Sequence, residues 1–510
     1  MMTTLERPRT IAALTELLGG TDQGLTSTTS LTGLADDSRR VEAGHVFFAR
    51  RGSEADGATF AADAVSRGAV VIVAEDELGA DLPVLRVASV DEALERAADA
   101  WYGRPQDDLD LLAVTGTKGK STVAWIAAAA LRACDHKPAT LGTISHDLGD
   151  DEPETSLNTT PGVLDLRRLL ARARDNGCRA VVMEVSSHAL HQARTAGLAF
   201  RSAIFTNLAS DHLDYHGTPE AYFAAKALLF EGLAPDATAV LNREDAAWSQ
   251  FAGLCRGGVL TYGFSAEADL QARDVRYALD GSTFQLVVPT DGQREVRTPL
   301  VGRHNILNIL GALGGCAGLG LDPMRAAAGA TTLGQVPGRL ERVPGATDID
   351  VFVDYAHTED SLRQVLTFLR DVGAAPVTCV VGCGGDRDTQ KRPRMARVAA
   401  ELSAAAVFTS DNPRSEDPDA ILADMLAGLE RGQREAVRVE PDRRTAIRQA
   451  VLTTPPGGVV LVAGKGHETY QIQGTEKLPF DDVAEAAEAL QMRAERGASG
   501  SESWGASQSS

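Results

Sequence analysis

Positive charge, aromatic side chains, cysteine and long apolar runs are all scarce in this chain, and each shortage removes a class of function. Its 50 lysines and arginines face 70 aspartates and glutamates, a formal net charge of -20. A field of that sign repels DNA, RNA and anionic membranes, so any anionic ligand must be held by local groups. Aromatics are 5% of the residues, and no basic surface interleaved with them is evident, which argues against a nucleic-acid motor. No stretch approaches the roughly 18 uninterrupted apolar residues of a membrane span. The opening MMTTLERPRTIAALTELLGG lacks the basic region, apolar core and small-residue cleavage site of a secretion signal. Six cysteines are scattered along the chain, with Cys379 and Cys383 alone close together, so packed, reduced thiols are expected rather than a metal cluster or disulfide framework. These absences predict a cytoplasmic protein with neither nucleic-acid nor membrane partners; a monomer is expected, although nothing in the sequence fixes the oligomeric state.

What is present is material for several cores. At 510 residues and about 150 residues per domain, roughly three domains are expected. Short apolar runs suited to strands buried on both faces recur throughout. They are Gly68 to Ala74, Pro83 to Val87, Leu111 to Val114, Ala180 to Val185, Ser202 to Phe205, Ala237 to Leu241, Val351 to Val353, Val377 to Val381, Ala405 to Phe408 and Val459 to Val462. Helical, alanine-rich segments lie between them, which predicts α/β architecture. The polar YGRPQDDLD from Tyr102 to Asp110 and the QVPGR turn from Gln335 to Arg339 read as linkers. The boundaries become 1–104, 105–335 and 336–495, followed by a Gly/Ser-rich tail at 496–510 expected to be disordered.

The segment LLAVTGTKGKSTVAWIAAAAL, Leu111 to Leu131, reads as a strand, a glycine turn carrying a lysine, and a helix. Gly116 and Gly119 would let backbone approach a polyphosphate, Lys120 would reach the β/γ-phosphates, and Ser121 would hold Mg²⁺. Val114 stands where the full Walker pattern has its first glycine, so a Gly-Lys-Ser turn before an ordinary helix is the competing reading. Most other strand candidates also end in polar or glycine-rich turns: MEVSSH, FTNLASDH, VDYAHTED, VVGCGGDRD, FTSDNPR and VAGKGHE. In a parallel sheet such turns share the edge where ligands bind. A metal-phosphate site follows, with Glu184 and the Ser121 hydroxyl suiting a cation that prefers oxygen. Periodicity alone makes His212 a turn residue or helix cap after Asp211.

Ten motifs occur here in the order seen in the Mur ligases: TGTKGKST, MEVSSHALHQAR, FTNLASDHLDYHG, YFAAK, GRHNILN, VPGRLE, VDYAHTEDSL, GCGGDRDTQKRP, SDNPRSEDP and GKGHETYQ. The chain resembles that family, in particular the type joining diaminopimelate to UDP-N-acetylmuramoyl-L-alanyl-D-glutamate, over all but its tail. The resemblance implies a three-domain α/β architecture: an N-terminal domain for the UDP substrate, a central P-loop ATPase-like domain and a C-terminal Rossmann-like domain for the amino acid. It implies ATP contacts at Gly116, Thr117, Lys118, Gly119, Lys120, Ser121, Thr122, Asn305, Asn308 and Asp354. Ser38, Arg39, Thr159, Thr160, Ser186, Gln192 and Arg194 would hold the UDP substrate. Arg387, Asp411, Asn412, Pro413, Arg414, Gly464 and Glu468 would hold diaminopimelate, with the Arg414 guanidinium reading its second carboxylate. Lys120, Glu184, His212, Lys226 and Arg339 would be catalytic, and Ser121, Glu184, His212 and Lys226 would hold Mg²⁺. For that role Lys226 would be carbamylated to N6-carboxylysine. Without the resemblance, Lys226, Gln192, Arg194 and Asn308 read as solvated helix faces.

The chemistry implied is transfer of the ATP γ-phosphoryl group to the D-glutamate carboxylate, then attack by the amine on the acyl phosphate. Two residues depart from the usual motifs. Lys118 stands where TGTxGK often has asparagine or a small polar residue, and Glu359 replaces the proline of YAHTPD. The alternatives are another Mur-type or folylpolyglutamate synthase-like acid:amine ligase with a different acceptor, and a catalytically silent nucleotide-binding paralogue.

Overall fold

The computed structural model describes residues 7–505 except Gly24, Thr26, Ser27, Ser53, Glu54, Ala80, Asp81, Asp151, Leu157, Ser210, Ala346 and Thr347; the side chains of Asp22, Gln23 and 497–505 are also outside the description. The chain forms two compact units. One comprises Met1–Arg273, Leu286–Arg294 and Leu307–Ala330, the other Asp274–Gln285, Glu295–Ile306 and Thr331–Ser510.

The first unit holds two sheets. The N-terminal sheet runs, in hydrogen-bonded order, Thr21–Gln23, Val84–Arg86, Val71–Ala74, His45–Phe48 and Gly33–Ala35, parallel except at its first pair. The central sheet has parallel Asp110–Thr115 between Ser202–Phe205 and Ala180–Glu184, with Thr238–Asn242 and Gly258–Gly263 on one side and Pro138–Leu141 on the other. Leu111, Leu112, Ala113 and Val114 are all fully buried, as expected of a strand covered on both faces. The sheet order continues through Leu270–Ala278, Gly281–Val288 and Gly292–Thr298, and the division between the units runs through these strands.

Sequence blocks one and two thus share one unit, and the helix Val163–Asp175 is the physical reason. Val163 and Leu164 pack into the N-terminal core, while Leu166, Leu169, Leu170 and Ala173 pack into the central one. Between them Arg167, fully buried, donates from Nε to Asp99 Oδ1 at 2.7 Å and from Nη2 to the Ala196 carbonyl at 2.7 Å. Asp99 also accepts from Arg104 and Gln106, so a buried charge pair that would otherwise carry a large desolvation cost is extensively hydrogen-bonded.

In the second unit Val459–Ala463 lies between Asp350–Asp354 and Val377–Val381, followed by Ala405–Phe408 and Arg438–Val439, all parallel. Alternation divides this sheet between two cores. Val351, Val353, Val380, Val407, Val460 and Val462 face one way, and Phe352, Cys379, Val381, Phe408 and Leu461 the other. Its carboxyl ends feed the turns at Gly382 to Arg387, Thr409 to Arg414 and Gly464 to Glu468. All six cysteines are free, five of them buried. No described helix is long and apolar enough to cross a membrane. The last helix runs Asp482–Gly505. The remaining tail, 506–510, lies outside the described residues.

Candidate active site

The turn after Asp110–Thr115 takes backbone that needs glycine. Gly116 has φ 145° and Gly119 φ 86°, and a Cβ on Gly116 would sit 1.9 Å from Thr206 Oγ1. The loop is pinned by the end of the neighbouring strand. Lys118 N donates to Asn207 Oδ1 at 3.0 Å, Asn207 Nδ2 and Thr206 Oγ1 donate to the Lys118 carbonyl, and Thr117 Oγ1 bonds the Tyr222 hydroxyl. Helix Lys120–Ala133 starts here with no side-chain cap on its first amides, a geometry suited to phosphate. Lys120 arches back over the loop, its Nζ donating to the carbonyls of Gly116 and Thr117 at 2.9 and 3.1 Å. A Cβ on Gly119 would meet Asn308 Oδ1 at 2.6 Å, so Asn308 faces this loop rather than solvent. Thr122 is buried in the first turn of the helix.

Ser121 Oγ donates to Glu184 Oε2 at 3.0 Å, and Glu184 is 2% exposed. The carboxylate also accepts the backbone amide and hydroxyl of Thr143, a residue that stands in none of the motifs above. Thr143 Oγ1 in turn bonds Thr159 Oγ1 at 3.0 Å. Thr160 Oγ1 donates to the Glu184 carbonyl and accepts Ser186 N, while Arg194 donates to the Thr160 carbonyl and twice to Gln192 Oε1. Thr159, Thr160, Ser186, Gln192 and Arg194 therefore form one network continuous with the phosphate loop. Burial, then the Arg50 charge, lowers the Arg194 pKa, an arrangement that favours an arriving anion. Ser38 and Arg39 make no hydrogen bond to this network. Ser38 is buried and bonds Asp63, and Arg39 pairs with Asp37 at an exposed position.

Lys226, on helix Pro219–Glu231, is 1% exposed; its Nζ donates to the Gly116 carbonyl at 3.0 Å and lies 4.6 Å from the Tyr222 ring centre. Burial, reinforced by the nearby Lys120 charge, pushes its pKa well below that of an ordinary lysine. His212 takes φ 52° at the start of helix Leu213–His216. It makes no hydrogen bond with Ser121 or Glu184, and its ring stands edge-on to His188, centroids 4.8 Å apart. Burial holds His188 down to about 4. Among the described residues no three His, Cys, Asp or Glu side chains form a ready-made metal cluster. The oxygens of Ser121 and Glu184 fit Mg²⁺, whereas Lys226 fits only if it becomes an anion.

In the second unit Asp354 ends its strand buried, accepting Leu340 N at 2.7 Å and Ala356 N at 2.8 Å. Burial raises its pKa, and Arg339 opposes that. The Arg339 guanidinium lies over the Tyr355 ring at 4.6 Å. Buried Asn305 donates to the Val301 carbonyl. The turns at Gly382, Thr409 and Gly464 bring Asp411, Asn412, Pro413, Arg414, Gly464 and Glu468 together. Asn412 Nδ2 donates to Glu468 Oε2 at 2.8 Å, Arg414 Nη1 donates to the Gly385 carbonyl at 2.7 Å, and a Cβ on Gly464 would meet Asp411 Oδ2 at 2.7 Å. Arg387 is exposed, donating to the Asp386 carbonyl. Lys465, assigned no role from sequence, is completely buried among these residues; a lysine between glycines carries no sequence signal of burial.

Family models match for the Mur ligase family catalytic domain at 30–102, the Mur ligase middle domain at 114–316 and the Mur ligase glutamate ligase domain at 338–466. The UDP-N-acetylmuramoyl-L-alanyl-D-glutamate–2,6-diaminopimelate ligase of Geobacillus kaustophilus is 44% identical over 91% of this chain and 95% of its own. A solved structure of a UDP-N-acetylmuramoyl-L-alanyl-D-glutamate–2,6-diaminopimelate ligase is 34% identical with TM-score 0.64, over 91% of this chain and 96% of that one. Mycobacterium tuberculosis folylpolyglutamate synthase complexed with ADP and AMPPCP, 18% identical with TM-score 0.59 over 78% of this chain and 94% of its own, shares the fold. The chain belongs to the Mur ligase family.

Proposed function

We propose that this chain is an ATP-dependent ligase that joins diaminopimelate to UDP-N-acetylmuramoyl-L-alanyl-D-glutamate, a step of peptidoglycan precursor synthesis. The observation that carries the reading is the buried Glu184, bonded on one side to Ser121 of the phosphate loop and on the other, through Thr143, toward Thr159. One carboxylate thereby couples the triphosphate cradle to the network assigned to the substrate acid. Lys120 and the loop amides hold the β/γ-phosphates, and Arg194 with the Thr160 and Ser186 hydroxyls orients the muramoyl peptide. Mg²⁺ held by Ser121 and Glu184 would neutralise phosphate charge during transfer. The acid accepts the γ-phosphoryl group, the amine attacks the acyl carbon, and phosphate leaves. Burial lowers the Lys226 pKa and so favours its free amine, which can add to CO₂ with loss of a proton to give an anionic carbamate beside the same loop. Arg414 reads the second carboxylate of the incoming amino acid and Glu468 its distal ammonium. The test is a substrate panel with purified protein, scored by product mass and phosphate release. Phosphate release that needs the UDP-dipeptide and diaminopimelate together is expected. Release independent of the amino acid, or a different preferred acceptor, overturns the reading.

A further inference from the structure

Lys465 has no place in the chemistry above, yet it occupies the middle of the amino-acid segment at 0% exposure. Its ammonium donates to Asn412 Oδ1 at 3.1 Å and to Glu468 Oε2 at 3.3 Å. Asn412 returns a bond from Nδ2 to the same Glu468 oxygen at 2.8 Å. Oε2 therefore receives two donors from the protein, which fixes the carboxylate's rotation and leaves Oε1 as the oxygen to present to a ligand. The ring Lys465, Asn412, Glu468 is itself tied down by a hairpin of strands Tyr470–Gln473 and Glu476–Pro479. Ile472 N donates to Asn412 Oδ1 at 2.9 Å, and Gln471 Nε2 donates to the Asp411 carbonyl at 2.7 Å. Arg414 N donates to the Ile472 carbonyl at 3.0 Å, and Gly474 N donates to the Arg414 carbonyl at 2.7 Å. Arg414 has φ 53°, a conformation unfavourable for a non-glycine residue that persists where surroundings over-determine it. The hairpin supplies that over-determination.

We propose that Lys465 is a positioning residue for amino-acid selection: it sets the Glu468 carboxylate that meets the distal ammonium, while the hairpin Tyr470–Pro479 holds Arg414 for the carboxylate beside it. The inference rests on the assignment of Glu468 and Arg414 as diaminopimelate contacts. Without the ammonium, Glu468 keeps only the Asn412 donor and its carboxylate is held less firmly, so the incoming amine meets a less well oriented acceptor while the phosphate loop is untouched.

The experiment is a kinetic double-mutant cycle on the full chain with Lys465→Met, Glu468→Gln and both together. Lys465→Met should raise KM for diaminopimelate on the order of tenfold to a hundredfold, the range for losing a charged hydrogen bond. KM for ATP and the UDP substrate should stay within about twofold. In the Glu468→Gln background the same change should add less than about threefold, because the two act as one unit. If Glu468→Gln leaves KM for diaminopimelate unchanged, the assignment of the pocket fails. If Glu468→Gln raises it while Lys465→Met does not, or the two effects multiply in full, the role of Lys465 fails. Should Lys465→Met lower expression or the urea midpoint, Lys465→Gln, which keeps a donor toward Asn412 and removes the charge, takes its place under the same criteria.

Discussion

Two buried lysines, one in each unit, set out the logic of this molecule. Lys226 points into the phosphate loop with a carbonyl for a partner and a second lysine nearby, and its amine is driven toward neutrality. Lys465 is just as buried, yet it meets a carboxylate and an amide oxygen. Burial is the main cause of the Lys226 shift and the neighbouring charge adds to it, so equally buried lysines differ in the company they keep. A cation beside a buried lysine favours its neutral form, and an anion beside it favours the ammonium; these are the settings in which the two proposed roles differ.

The strongest way to break that contrast is to remove the cation. Lys120→Ala should lower ATP-dependent ligation by about a thousandfold or more, as expected when a group aligned on the transferring phosphoryl is lost. Phosphate release dependent on both substrates measures it, and substantially retained turnover removes Lys120 from this role. The second test acts on the unit of the braced lysine. Arg414→Ala should cut the preference for diaminopimelate over lysine by about ten- to a hundredfold, the range for losing a charge-assisted pair; competition between the two amino acids, scored by product mass, reads it directly. A third test follows the pH sign. Because its pKa is lowered, Lys226 stays unprotonated at pH values where solvent lysines are charged. With ¹³C-bicarbonate, a carbamate carbon signal absent from Lys226→Ala is expected near neutral pH, fading as acid protonates the amine. In Lys120→Ala, where the opposing charge is gone, that fading should begin at higher pH. The smallest effect is a control outside both lysine sites. Glu359 occupies the first position of helix Glu359–Asp371, where proline is well tolerated. Glu359→Pro should change urea stability by no more than about 1 kcal/mol and leave the kinetics of both substrates unchanged.

The same contrast bears on what could be read before any coordinates. Strands covered on both faces were legible because uninterrupted apolar residues such as Val377 to Val381 have few other places to go. The phosphate loop was legible from its glycines and lysine. Gly292–Thr298, GQREVRT, was not, because most of its residues face solvent and alternation is masked by charge. Thr143 and Lys465 were invisible for a related reason. Each lies in a short polar turn, and its importance comes from a partner distant in sequence, Glu184 for one and Asn412 for the other. The resemblance supplied Gln192 and Arg194, and the structure added what joins them: the Thr160 carbonyl and the Gln192 side-chain oxygen.

The strand Val459–Ala463 is made late and inserted between two that are made early. As the ribosome releases the C-terminal half, Asp350–Asp354 and Val377–Val381 must wait, each with an unpaired backbone edge, until most of the remaining chain has emerged. Nascent molecules therefore pass through a window in which sticky edges are available to other chains. That order predicts more aggregation during rapid expression than during slower synthesis, measured as the soluble fraction at two expression temperatures.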